Sequence, residues 1–125
     1  MSQTIEQQRA FYAYQQTNRW AKEGQELDKF KTLTPKIPTM ILQNGLGQTL
    51  SFLLADDSKA AKQLYNFMQN WLCKTDSKEP RPCTVYKAGE LIEQLISGNR
   101  DNYMQAQQET LALFNWLKKF VEAKL

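Results

Sequence analysis

Apolar residues recur along this chain at three- and four-residue spacings, the period of an α-helix. Strict alternation of the kind that marks a half-buried strand is nearly absent. The pattern predicts a helix from Gln3 to Lys22, with Ile5, Tyr12, Ala13 and Trp20 on one side and Ala10, Tyr14 and Ala21 widening the stripe. Gly24 supplies a C-terminal stop. Residues 25–33 read as a short helix carrying Leu27, Phe30 and Leu33. The cleanest amphipathic segment is Lys59 to Lys74. There Ala60, Leu64, Phe67, Met68 and Trp71 face Lys59, Lys62, Gln63, Asn66, Gln69 and Asn70 across the helix. A further helix is predicted from Tyr86 to Ser97, burying Leu91, Ile92, Leu95 and Ile96, and Gly98-Asn99 breaks it. The last helix runs from Arg100 to the end, with Tyr103, Ala106, Thr110, Leu113, Phe114, Leu117, Phe120 and Val121 as its broad stripe.

Between these segments lies the most apolar run of the chain, KIPTMILQNGLGQTLSFLL, Lys36 to Leu54. Its only charge is Lys36. It is too short and interrupted to span a bilayer. A residue before proline is pressed out of the helical region, so Thr34-Pro35 and Ile37-Pro38 predict a bend. Pro38 suits the first turn of a new helix. The run is therefore read as two short buried helices, Thr39 to Gln43 and Leu46 to Leu54, with a reversal at Asn44-Gly45. Asp56-Asp57-Ser58 offers an N-cap for the next helix. Residues 75–84, TDSKEPRPCT, form a polar loop with two prolines, expected to be the place of mobility or partner-dependent ordering. Together these elements predict an all-α fold, a compact bundle of six or seven helices forming a single domain over residues 1–125.

Composition agrees with helix: glycine and proline are scarce, and there are 14 glutamines. A net charge of +3 permits contact with a phosphate backbone without demanding it. The N-terminal residues show no leader pattern, which sets the expectation of a cytoplasmic protein. Cys73 and Cys83 read as ordinary thiols in such a compartment. With no histidine and no CxxC pair, no metal site and no cofactor are expected. The missing histidine also removes the commonest general base, and no nucleophile elbow or phosphate loop is present. Asp56-Asp57 reads as a helix start rather than a magnesium site, and Glu90 and Glu93 as solvating charges. The chain is not expected to be an enzyme.

The charged candidates are few. Arg9 projects inside the apolar arc of the first helix, where an arginine snorkels, pairs with a carboxylate or faces a partner. Glu109 stands with Trp116 and Phe120 on a secondary edge of the last helix, which predicts that Trp116 packs on the first helix. An Arg9–Glu109 ion pair would fix the docking of the first and last helices. Lys118 and Lys119 face away from the stripe, where they complement the helix dipole or meet phosphates. Lys29, Lys31 and Lys36 cluster around the proline bend, and Arg19 and Lys22 close the first helix. Such groups act by charge and position, without base readout. The aromatic residues fall mostly on apolar stripes, so no platform for stacking bases is expected.

Three segments together carry a resemblance. They are Lys36-Ile37-Pro38 through Asn44-Gly45-Leu46-Gly47-Gln48-Thr49-Leu50-Ser51-Phe52-Leu53; Tyr103 followed by Glu109-Thr110-Leu111 and Asn115-Trp116-Leu117-Lys118-Lys119-Phe120; and Arg9-Ala10 with Ala13-Tyr14. In that order and at this length, the chain resembles the small helical subunit of type III-B CRISPR effector complexes, the Cmr complexes. The resemblance implies a non-catalytic, all-α subunit whose copies stack as an inner filament beside the backbone subunits. That filament lines the channel where target RNA pairs with guide RNA. Its implied partners are the backbone and large subunits, neighbouring copies of itself, and guide and target RNA. It places Lys36, Lys118 and Lys119 inside matching motifs as candidate RNA contacts; charge clustering adds Arg19, Lys22 and Lys31. Two other readings remain open. One is a helical protein–protein adaptor that touches no nucleic acid. The other is a small DNA-binding regulator using the Asn66–Asn70 face with Lys59 and Lys62.

Overall fold

The first helix, α1 (Ile5–Glu23), begins on a capping box in which Thr4 and Gln7 exchange backbone-to-side-chain hydrogen bonds. It ends at Gly24, whose φ of 67° gives the left-handed stop that the sequence predicts. The computed structural model describes residues 3–74 and 84–125. Among them, six more helices follow: α2 (Leu27–Leu33), α3 (Lys36–Asn44), α4 (Leu46–Ala55), α5 (Lys59–Leu72), α6 (Leu91–Ser97) and α7 (Arg100–Lys124). The predicted 75–84 loop and Cys83 lie outside the described residues, apart from Thr84.

The proline segment departs from expectation. Thr34 keeps helical angles (φ −54°, ψ −49°) although Pro35 follows it, and Pro35 is helical too. Ile37 is likewise helical before Pro38, so α3 starts at Lys36 rather than Thr39. Pre-proline crowding is a bias, and burial outweighs it here: Leu33, Thr34 and Ile37 are all buried. Pro38 sits in the first turn of α3, where its missing N–H would have had no partner anyway. A helix boundary does fall at Thr34-Pro35, between α2 and α3, and the reversal predicted at Asn44-Gly45 is made by Gly45, with φ 87° and ψ 164°, which separates α3 from α4.

Two helices are shorter than their periodicity suggests. α5 stops at Leu72, because Cys73 turns extended and forms an isolated parallel bridge with Tyr86. Val85 N–H donates to the Leu72 carbonyl at 2.8 Å, and Lys74 N–H to the Tyr86 carbonyl at 2.9 Å. Tyr86 is thereby lost to the helix predicted from it, and α6 starts only at Leu91, after Gly89 at φ 146°. The start of α6 is held from α5. Leu91 N–H donates to Gln69 Oε1 at 2.8 Å, and Ile92 N–H to the Tyr65 hydroxyl at 3.1 Å. That hydroxyl donates in turn to Glu90 at 2.7 Å, so Glu90 is more than the solvating charge expected.

The core is built on aromatic rings from four helices. Trp20 stacks on Phe30 at 4.5 Å, and Tyr12 on both Phe67 and Trp71 at 4.8 Å. Phe114 meets Phe67 edge-on at 5.8 Å. Such pairs add about 0.5–1.5 kcal/mol each beyond area burial. The Tyr12 hydroxyl donates to the Phe67 carbonyl at 2.6 Å, so its polar end is satisfied inside the core. The stripes need three corrections: Ile5, Tyr14 and Ile96 are exposed. Thr17 is buried on α1 instead, its hydroxyl bonded to the Ala13 carbonyl one turn back. α1 and α7 lie against each other, and their contacts advance together, Arg9 with Glu109 and Tyr14 with Phe120. They therefore run in the same direction.

Candidate nucleic-acid interface

Three of the predicted cations converge. Lys31 from α2 and Lys118 and Lys119 from α7 line an open concavity of about 640 Å³, with Pro35, Val121 and Glu122 completing the wall. The local reasons are simple. Lys118 and Lys119 follow the buried Leu117 on α7, and the helix period turns both outward. Lys31 follows the buried Phe30 and is likewise exposed. Three lysines and one glutamate line it, so its net charge favours an anion. An elongated polyanion suits it because the mouth is open.

The other candidates fall elsewhere. Lys36 opens α3 and is exposed, yet does not line the concavity although Pro35 does. Arg19 and Lys22 are exposed near the end of α1, also outside it. Lys29 pairs with Asp56 at 3.3 Å and so leaves the cluster to which charge counting assigned it. The backbone and side chain of Ser58, followed by Lys29, hold the Asp56 carboxyl below its ordinary value.

Arg9 and Glu109 lie together. Arg9 Nε donates to Glu109 Oε1 and its Nη2 to Oε2, both at 2.8 Å, a bidentate fork. Glu109 is only 8% exposed and also accepts from Trp71 Nε1 at 2.8 Å. Arg9 Nη1 reaches Glu6 at 2.7 Å, and Glu6 accepts from Trp116 Nε1 at 3.0 Å. One network thus joins α1, α5 and α7, with Trp116 lying against α1. Phe120 stacks on Trp116 at 6.0 Å and meets Tyr14 edge-on at 5.5 Å. Lys124 sits over the Tyr14 ring at 4.6 Å.

Among the described residues, no group of three His, Cys, Asp or Glu side chains could hold a metal ion. Burial, then the charge of Glu90, pushes the Cys73 thiol up to about 11, which makes it a poor nucleophile. Among the described residues, no helix is long and apolar enough to cross a membrane.

Sequence reasoning missed two features. One is Phe11, which is 53% exposed and stands off the apolar stripe of α1. Its signal was available, since Gln7 and Gln15 flank it four residues away on either side. The other is the pair Tyr103 and Gln107 on α7. Gly47 N–H donates to the Tyr103 hydroxyl and Leu46 N–H to Gln107 Oε1, both at 3.0 Å. Two side chains of one helix thereby cap the first turn of another, a relation no local spacing encodes.

A family model described as CRISPR-associated protein (Cas_Cmr5) matches residues 5–124. The CRISPR system Cmr subunit Cmr5 of Thermus thermophilus is 27% identical over 111 residues, which cover 89% of this chain and 87% of that protein. The crystal structure of a CRISPR-associated Cmr5 family protein from the same species superposes with a TM-score of 0.79 at 27% identity, covering 99% of both chains.

Proposed function

The chain belongs to the CRISPR-associated Cmr5 family, and from that premise we propose that it is the non-catalytic small subunit of a type III-B ribonucleoprotein effector in antiviral defence. Several copies stack as an inner filament, beside the backbone and large subunits, and support guide and target RNA in the cytoplasm. The observation that carries this reading is the concavity of Lys31, Lys118 and Lys119. Lysine ammonium groups around an open hollow suit phosphates held in position and carry no base specificity. A net charge of only +3 suits a subunit whose contacts count when repeated along a filament.

The test is charge reversal in the assembled complex. Lys118→Glu with Lys119→Glu should leave the fold intact and weaken target-RNA binding, most at low salt. Lys31→Glu should act in the same direction. Unchanged affinity at both low and high salt removes these residues from the interface. A native complex that purifies without RNA supports the adaptor reading instead. Tight duplex binding by the isolated chain supports the DNA-binding one.

A further inference from the structure

We propose that the outer face of α1 is a single-strand stacking site, with Phe11 taking a nucleobase on its ring and the polar side chains beyond it guiding the phosphate backbone. This rests on the reading that the chain supports RNA. Successive residues of a helix are turned by about 100°, so positions 11, 15, 18 and 22 share one sector about 60° wide. Phe11, Gln15, Asn18 and Lys22 are all exposed there, with exposed Arg19 at its edge.

The character of the sector selects the ligand. It contains no carboxylate: Glu6 points to Arg9 and Trp116, and Glu23 lies on another side of the helix. It carries two cations toward its C-terminal end, so its charge complements a polyanion. It contains no aliphatic side chain. A helix face that docks a protein repeats apolar anchors at three- and four-residue intervals, and here those positions hold Gln15 and Asn18. An isolated ring among amides and cations is what a single strand uses, since every base has a face to stack and phosphates take the charges. The ring is also available. Among the described residues Phe11 has no aromatic partner, unlike Tyr14, which meets Phe120 and lies under Lys124. From Phe11 to Lys22 the helix rises roughly 16 Å, room for a few nucleotides.

The experiment uses the assembled complex and a uridine-rich target RNA, one version carrying 5-iodouridine for photocrosslinking. Phe11→Ala should weaken binding by about 5- to 100-fold with the salt dependence unchanged. Phe11→Trp should restore it, Phe11→Leu should not, and the crosslinked peptide should contain Phe11. If Phe11→Ala binds like wild type while the Lys118→Glu, Lys119→Glu variant binds weakly, the stacking site is wrong and RNA support stands. If neither variant changes binding, both readings fail. If Phe11→Ala instead releases the chain from the complex in the absence of RNA, the face docks protein and the proposal is overturned.

Discussion

At the scale of single residues, the buried charge at Glu109 matters most. Its two oxygens serve Arg9 and Trp71, so it ties α7 to both α1 and α5. Removing one partner of a buried pair costs about 3–5 kcal/mol, chiefly by leaving the other charge uncompensated. Arg9→Ala should therefore lower the melting temperature by about 10 °C or more, read by circular dichroism. Glu109→Gln keeps an acceptor for Trp71 and should cost less than Glu109→Lys. A Tm within about 2 °C of wild type for Arg9→Ala, using about 0.5 kcal/mol as the limit of a surface change, would mean the fork adds nothing. Cys73 gives a pH-dependent counterpart. Its folded value lies at about 11, raised from 9.0. Its contribution is fully present below pH 9 and is lost as pH rises toward 11, because the unfolded thiol ionises first. Tyr65 and Tyr86 are raised by burial too and add the same sign at higher pH. The urea midpoint should fall between about pH 9 and 11, with a shallower fall in Cys73→Ala; equal slopes in the two proteins would contradict the assignment.

At the scale of elements, helices with local punctuation were legible and helices ended by tertiary contacts were not. Gly24 ends α1 in space as it does in sequence, and the Gly98-Asn99 break falls where Asn99 caps α7. The end of α5 and the start of α6 were misplaced because a backbone bridge between Cys73 and Tyr86 decides both. Periodicity cannot report such a bridge. The α3–α4 elbow shows the same division. Asn44-Gly45 marked its place, yet what closes it is the Tyr103 hydroxyl and the Gln107 amide of α7. A Cβ on Gly45 would stand 2.9 Å from that hydroxyl, and φ at 87° is costly for any other residue. Gly45→Ala should thus destabilise by about 1–3 kcal/mol. Tyr103→Phe removes the acceptor for Gly47 N–H and should cost about 1–2 kcal/mol. Because the clash and the bond share one oxygen, Gly45→Ala should cost less in a Tyr103→Phe background. Strict additivity in denaturant unfolding would show that the two do not meet.

At the scale of the whole molecule, charge was legible as composition and only partly as place. The sequence pointed to six cations, and folding gathers Lys31, Lys118 and Lys119, while Lys36, Arg19 and Lys22 stand apart. Adjacency along the chain misled in one direction: Lys29 and Lys31 are near neighbours, yet Asp56 takes the first and the concavity the second. A site of three lysines sets a quantitative expectation. Each phosphate neutralised on a single strand contributes about −0.7 to the slope of log affinity against log salt. The concavity of one copy should therefore give a slope no steeper than about −2, with weak binding by the isolated chain. If, as proposed, the copies form a filament and engage one strand together, the slope contributed by this subunit should grow in proportion to the copies bound, and affinity by more than their sum. Fluorescence anisotropy with single-stranded RNA between about 50 and 200 mM salt measures both, for the isolated chain and for complexes assembled with wild-type or Lys118→Glu, Lys119→Glu subunits. The variant complex should lose a slope larger than the one an isolated chain can supply. If the lost slope matches that of one copy, the concavity meets RNA at a single place and the filament does not repeat the contact.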